Sequence, residues 1–178
     1  MFEDYIQDSY TFYTLALEKQ NKLEEREAKM FYRASIFCAA SALEAFVNFI
    51  GDTIKKGDTL DRIEIAYLND KVLEISVPKA KIEEKIKFNA VDAKIKFIIK
   101  KFSVPIDLSN SADWSNFNNF KDLRNDLIHP KSQSDERTLV DYQNSIKKGL
   151  NSNIEIMNLI SNKIFNKQLR KGLLELKI

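Results

Sequence analysis

The chain has 178 residues, which is enough for one domain with a substantial hydrophobic core. Glycine and proline are scarce, with four and three copies, a composition that favours helices and predicts an all-α fold. The formal net charge of +2 at pH 7 is too small to indicate a nucleic-acid partner by itself. The single cysteine, Cys38, excludes an intrachain disulfide and a cysteine-based metal cluster, and it fits a reducing compartment.

The sequence predicts neither a secretion signal nor a membrane span. No basic segment followed by an apolar run opens the chain. The most apolar stretch, residues 34–50, contains Ser41, Glu44 and Asn48, so it predicts a buried helix rather than a transmembrane helix. We therefore expect a cytoplasmic protein that does not act at a membrane.

Hydrophobic periodicity predicts most of the elements in the first half of the chain. Apolar residues at helical spacing predict an amphipathic helix over residues 2–20 and a long, central helix over residues 25–55. The charged segment 22–29 either continues the first helix or forms a bend. A shorter helix follows, for which Asp58 or Thr59 is the expected cap.

The middle of the chain is harder to interpret. Residues 71–87 fit neither the helical nor the strand period, and Pro78 interrupts them, so their structure stays open. Asn89, with Asp92 three residues later, has the pattern of a helix start. The helix that follows is expected to end before Pro105.

Two further helices complete the prediction. The first carries an aromatic and aliphatic stripe that we assign to the core rather than to base stacking, namely Trp114, Phe117, Phe120, Leu123 and Leu127. The second, over residues 139–164, has the cleanest periodicity in the chain. The tail, residues 167–178, stays open. Residues 1–178 are therefore predicted to form a single all-α helical bundle with two long core helices plus shorter helices.

The stretch 120–130 contains the only histidine of the sequence, His129, five residues after Arg124 and directly before Pro130. Proline disfavours the helical conformation in the residue before it, so His129 is expected at a helix end, where unpaired carbonyls favour a positive charge. With Asn125, these residues place a cation, an amide and an imidazole near one helix end, a set that suits a phosphate group. A purely structural helix cap is the alternative.

A single histidine limits the chemistry available to one chain. If a reaction needs both a general base and a general acid of near-neutral pKa, one chain cannot supply two imidazoles. Either another residue serves, or a second copy of the chain does. Zinc sites built on several histidines or cysteines are excluded. A magnesium ion held by carboxylates stays open, although no acidic spacing indicates one. We expect no metal and no cofactor.

Arg124 borders an apolar stripe, so its guanidinium needs an anionic partner. Glu44 is the only charged residue between Arg33 and Asp52, on a helix otherwise suited to the core, and a buried carboxylate also needs a partner. We predict that the two residues pair. The pair is either purely structural, or it holds Arg124 ready for a phosphate.

Eight lysines and only three acidic residues occur in the segment 79–101. The segment is either a surface that follows an RNA backbone or an ordinary solvated helix face. The residues chosen as candidate RNA contacts are Lys94, Lys100, Lys101 and, after the histidine, Lys131.

Two segments together resemble the HEPN (higher eukaryotes and prokaryotes nucleotide-binding) superfamily. One is Leu123-Arg-Asn-Asp-Leu-Ile-His-Pro130, which has the Arg-x4-His spacing of the family with asparagine after the arginine. The other is Ser41-Ala-Leu-Glu-Ala-Phe-Val-Asn48, which is similar to an acidic helix found upstream in many HEPN proteins. The resemblance implies a helical bundle that forms a homodimer with the two motifs facing each other, and cleavage of RNA without a metal.

The resemblance also implies a role for each site residue. Arg124 would hold the scissile phosphate, His129 would transfer protons, Asn125 would orient these groups or hydrogen-bond, and Glu44 would position Arg124. The 2′-hydroxyl of RNA would be the nucleophile, giving a 2′,3′-cyclic phosphate and a 5′-hydroxyl. The partner chain would supply the second imidazole.

Relatives with this motif act in stress response or phage defence, often as toxins with an antitoxin partner. HEPN toxins paired with nucleotidyltransferase antitoxins often carry tyrosine two residues after the histidine, where this chain has Lys131, so regulation by modification of that tyrosine is not expected. Two alternatives stay open. One is a non-catalytic HEPN-like module that binds RNA, a nucleotide or a protein. The other is a helical interaction protein in which Glu44 and Arg124 form a structural pair.

Overall fold

The computed structural model describes residues 1–55, 59–79, 81–129 and 135–178. Within these ranges the chain forms seven α-helices and one antiparallel pair of strands, which confirms the predicted helical fold class. The elements are α1 (Phe2–Asn21), α2 (Glu25–Ile54), α3 (Arg62–Leu68), β1 (Lys71–Ser76), β2 (Lys81–Ile86), α4 (Val91–Phe102), α5 (Ala112–Ile128), α6 (Leu139–Phe165) and α7 (Lys171–Leu174).

Helix α2 is the central element of the bundle. On one side it packs along α1, where Ser9 Oγ donates to the Ser35 carbonyl at 2.9 Å and Ser35 Oγ donates to the Ser9 carbonyl at 2.8 Å. On another side it meets α6, where the buried Asn153 donates through Nδ2 to the Ala39 carbonyl at 3.1 Å. Small residues at these contacts let the helix backbones approach closely, while the hydrogen bonds pair the two buried serine hydroxyls and the Nδ2 group of Asn153.

By length and composition alone, α2 could cross a membrane, and it is the one helix of the described residues that meets this criterion. Half of the most apolar 18-residue stretch of this helix is buried inside the protein, where α2 packs against α1 and α6. A core helix of a soluble domain has the same composition. The prediction that residues 34–50 form a buried helix is confirmed.

The two helix caps predicted around the middle of the chain are wrong. Helix α3 is capped by Asp61, whose Oδ1 accepts from the backbone N–H groups of Ile63 and Glu64 at 2.8 Å, rather than by Thr59. Asp58, the other expected cap, lies outside the described residues. Helix α4 begins after Ala90 without a side-chain cap, and Asn89 instead donates to the Tyr67 carbonyl at 2.9 Å.

The segment that the sequence left open forms a β-hairpin, in which Lys71 pairs with Ile86 and Ser76 pairs with Lys81. One turn of 3-10 helix at Val77–Lys79 connects the strands and accommodates the proline. Because side chains alternate along a strand, one face carries the apolar residues Leu73, Ile75, Ile82 and Ile86. Three of these four side chains are exposed. The hairpin therefore lacks the buried apolar face that usually makes a strand recognisable in a sequence.

Helices α5 and α6 pack along each other, and the aromatic stripe of α5 faces the core as predicted. Ser111 Oγ caps α5 by accepting from the Trp114 N–H at 3.2 Å. The tail, which the sequence left open, adds buried Leu169 and Leu173 to the same core. At the closest approach of α5 and α6, the Phe120 ring lies directly over Gly149.

We predict that Gly149→Ala destabilises the fold by about 1–3 kcal/mol, the usual cost of overpacking. A Cβ atom at this position would lie 2.1 Å from Cδ2 of Phe120. Helix propensity alone predicts the opposite sign, a gain of about 1 kcal/mol for alanine over glycine. Urea denaturation followed by circular dichroism measures the difference.

The matched control is Gly172→Ala, because an added Cβ there meets no atom within 4 Å. We expect its free energy of unfolding to equal or exceed that of the wild type. If Gly149→Ala were as stable as this control, the close packing of α5 on α6 would be wrong.

Candidate functional site

A cavity of about 410 Å³ lies between α2, α4 and α5 and reaches inward to α6. Four of the predicted site residues line it: Glu44 from α2, Lys94 from α4, and Arg124 and Asn125 from α5. The segment between β2 and α4 forms part of its rim. We call this space the α2–α5 cavity.

The predicted contact between Glu44 and Arg124 is present. Arg124 Nη2 lies 3.4 Å from Glu44 Oε1, and Arg124 Nη1 donates to Asn125 Oδ1 at 3.2 Å. The expectation that Glu44 is buried is wrong, since its side chain is 46 % exposed and that of Arg124 is 30 % exposed. A long, partly solvated ion pair of this kind contributes only about 0–1 kcal/mol to the free energy of unfolding, so the fold depends little on it.

His129 lies at the end of α5, as the following proline predicts. Its backbone N–H donates to the Asn125 carbonyl at 2.9 Å, and its own φ of −117° and ψ of 64° leave the helix. Helix α5 is therefore regular up to Ile128. Its side chain is exposed and does not line the α2–α5 cavity, whereas Arg124 does. One chain thus brings Glu44, Arg124 and Asn125 together and leaves His129 on the surface.

The residues just before α6 are held against α5 by an ion pair. Arg137 pairs with Asp126 at 2.9 Å and with Asp135 at 3.1 Å, and Asp135 also accepts a hydrogen bond from Tyr142. Burial alone would raise the pKa of Asp135, but the hydrogen bonds from Tyr142 and Arg137 hold it below its usual value. Pro130 and Lys131, including the predicted RNA contact, lie outside the described residues.

Lys94 is not an exposed cation. Its side chain is 4 % exposed, and its Nζ lies 2.7 Å from Asp70 Oδ2 and 3.4 Å from Asn48 Oδ1. Asp70 has a left-handed backbone with φ of 56°, and its Oδ1 accepts from the Asn89 N–H at 2.8 Å. The structure therefore corrects the prediction that Lys94 is a surface contact for RNA, because its ammonium holds the base of the hairpin against α2.

The other predicted lysines do not form one bare cationic surface. Lys101 pairs with Glu64 at 2.7 Å, and Lys85 pairs with Glu74 at 2.5 Å. Lys100 is exposed, but it lies in the last turn of α4, whereas the cavity is at the first turn. The local charge distribution is closer to the solvated-face alternative.

The sequence interpretation missed Lys121, a further cation that lines the cavity beside Lys94 and Arg124. It lies one turn before Arg124 on α5, and its Nζ is 3.5 Å from Asp92 Oδ2. The three-residue spacing from Arg124 was the available signal, because residues three apart share a helix face. Burial raises the pKa of the nearby Tyr67, and the carboxylates of Asp92 and Asp70 raise it further.

The cavity therefore combines two loosely paired cations with amides and carboxylates, a set that can exchange an internal carboxylate for a bound phosphate. In the part of the chain that the structure describes, no group of three or more His, Cys, Asp or Glu side chains is placed to hold a metal ion. Searches against protein-family models, curated proteins and solved structures found no match to this chain. The likeness to HEPN domains stays a prediction carried by the two segments described above.

Proposed function

We propose that the protein is a cytoplasmic, metal-independent endoribonuclease of the HEPN type that works as a homodimer, in a toxin or phage-defence role. The observation that carries the proposal is that Arg124 lies at an open cavity with only weak contacts to its charged and polar neighbours among the described residues. Among the residues that the structure describes, its guanidinium, which lines an open cavity, is held only by a 3.4 Å contact to Glu44 and a 3.2 Å contact to Asn125. An arginine placed in this way can bind a phosphate without leaving a buried charge unpaired.

The reaction follows from the groups available. One imidazole takes the proton of an RNA 2′-hydroxyl, whose oxygen then attacks the neighbouring phosphorus. Arg124 neutralises the charge that develops on the phosphorane oxygens. The bond from phosphorus to the 5′-oxygen breaks, and a second, protonated imidazole gives that oxygen its proton. The products are a 2′,3′-cyclic phosphate and a 5′-hydroxyl, and no water or metal enters the step.

The proposed reaction uses two imidazoles, and since each chain has a single histidine, a second chain supplies the other one. The exposure of His129 at the end of α5 supports this arrangement, since a ring buried within its own chain could not approach a partner. The exposed Ile128 beside it offers apolar surface for such a contact. In the proposed homodimer the two α5 ends meet, so that both imidazoles reach one phosphate.

We predict that purified protein cleaves RNA in excess EDTA and that His129→Ala abolishes cleavage, because no other imidazole is available. Denaturing gels and end-group analysis of the products measure the effect. The matched control is Asp122→Ala, an exposed substitution on the same helix that should retain full activity. Salt-sensitive RNA binding without cleavage would favour the non-catalytic HEPN-like module instead.

We predict that Arg124→Ala also abolishes cleavage but changes the free energy of unfolding by less than about 1 kcal/mol, because the pair with Glu44 is partly solvated. Arg124→Lys should recover only part of the activity, since an ammonium keeps the charge without the planar pair of donors. Cleavage and urea denaturation are measured on the same preparations. A large loss of stability with activity retained would mean that the pair is structural.

We predict that activity falls with the square of the wild-type fraction when wild type and His129→Ala are refolded together at constant total concentration. Each cleavage needs two intact imidazoles, so mixed dimers are inactive. Mixtures of wild type with Asp122→Ala should keep constant activity. A linear fall, or a monomer in sedimentation equilibrium at the assay concentration, would contradict the shared site.

A further inference from the structure

The α2–α5 cavity is larger than a phosphate requires. Its volume of about 410 Å³ falls within the range of about 300–1,000 Å³ that is usual for small-molecule sites. Its walls are mixed, with Leu43 and Val47 from α2 and the rings of Phe117 and Phe120 from α5 beside the polar groups already described. Such a lining suits a flat, partly apolar ligand that also carries hydrogen-bonding edges.

Phe88 does not belong to the hydrophobic core formed by the described residues, and that core does not explain the exposure of its ring. Its side chain is 86 % exposed, yet it lines the rim of the cavity immediately before α4. A phenylalanine ring in water loses nothing by stacking on a base, and each such stack is worth about 1–3 kcal/mol. The neighbouring Asn89 is fixed by its hydrogen bonds to Asp70 and Tyr67, so the backbone that carries Phe88 is anchored on one side.

The inner end of the cavity contains an unmet hydrogen-bond acceptor. Asn153 is 1 % exposed, and its Nδ2 donates to the Ala39 carbonyl. Its Oδ1 is buried and has no hydrogen-bond partner among the residues that the structure describes. A buried acceptor left unpaired costs about 1–3 kcal/mol, and the residue that carries this one lines the cavity. The amino and ring N–H groups of nucleobases are donors that can pair with an amide oxygen.

Lys121 and Arg124 place the phosphate relative to such a base. Both lie on the cavity side of α5, one turn apart, and their contacts to carboxylates are long, at 3.5 Å and 3.4 Å. A nucleotide with its base in the cavity would bring its phosphate to these two cations.

We infer that the α2–α5 cavity binds one unpaired nucleobase of the RNA substrate, stacked on Phe88, next to the phosphate held by Arg124. The identification of RNA as the source of the base rests on the proposed function. Binding of the base itself does not, because it depends only on residues of this cavity. The site therefore selects single-stranded RNA, in which a base is free to leave the stack.

Isothermal titration calorimetry with AMP, GMP, CMP, UMP and ribose 5-phosphate tests the inference. We expect at least one nucleotide to bind, and to bind at least tenfold more tightly than ribose 5-phosphate, since the sugar phosphate lacks the base. Phe88→Ala should weaken nucleotide binding by about tenfold or more. The control is Ile86→Ala, another strongly exposed apolar residue, in the hairpin, that does not line the cavity.

Lys121→Ala separates the two parts of the ligand. It should weaken binding of the nucleotide but leave binding of the matching nucleoside unchanged. The inference is overturned if no nucleotide binds at millimolar concentration, if ribose 5-phosphate binds as tightly as the nucleotides, or if Phe88→Ala and Ile86→Ala behave alike.

Competition links the cavity to the substrate. The nucleotide that binds should inhibit RNA cleavage, and Phe88→Ala should weaken that inhibition, because it removes the stacking surface for the base. Binding without inhibition would reject the assignment of the base to the substrate. Cleavage that depends on His129 without any nucleotide binding would leave the proposed function intact and end this inference. Binding without any cleavage by the wild type would do the reverse.

Discussion

The structure depends on helix α2, which forms the centre of the core on one side and lines the α2–α5 cavity along its other edge. One side of this helix is buried against α1 and α6, through small residues and a few paired polar groups such as Ser35 and the Ala39 carbonyl. Its remaining edge cannot be covered by either neighbour, and there Glu44 and Asn48 face the α2–α5 cavity. Because the buried side is close-packed, the position of Glu44 is fixed by the core rather than by its own contact with Arg124.

That division explains why a half-exposed ion pair can be positioned well without being stable. Arg124 is brought to the cavity by the stripe of α5, in which Phe120 packs over Gly149 and Leu123 is buried. Neither helix needs the salt bridge in order to fold, so the guanidinium can exchange Glu44 for a phosphate at small cost. A fully buried pair would exchange its carboxylate for a phosphate less readily, because removing either charge from its partner costs several kcal/mol.

The sequence was sufficient where burial imposes a helical period, and insufficient where long-range contacts decide. The stripes of α2, α5 and α6 were readable because one face of each helix is buried. The hairpin was not readable, since most of its apolar face is exposed and its strands gain no core contact that would mark them. Lys94 looked like any other lysine of its segment. Its burial depends on Asp70, which is distant in sequence and adopts a left-handed backbone.

The same reasoning applies to the site. The motif around Arg124 and His129 was visible because proline marks the end of α5, but the direction in which each side chain faces depends on the packing of that helix. The structure separates these groups along α5, with Lys121 and Arg124 lining the cavity and the imidazole on the surface. The proposed reaction uses two imidazoles, and one chain has a single histidine. The proposal therefore makes association of two chains a condition of activity.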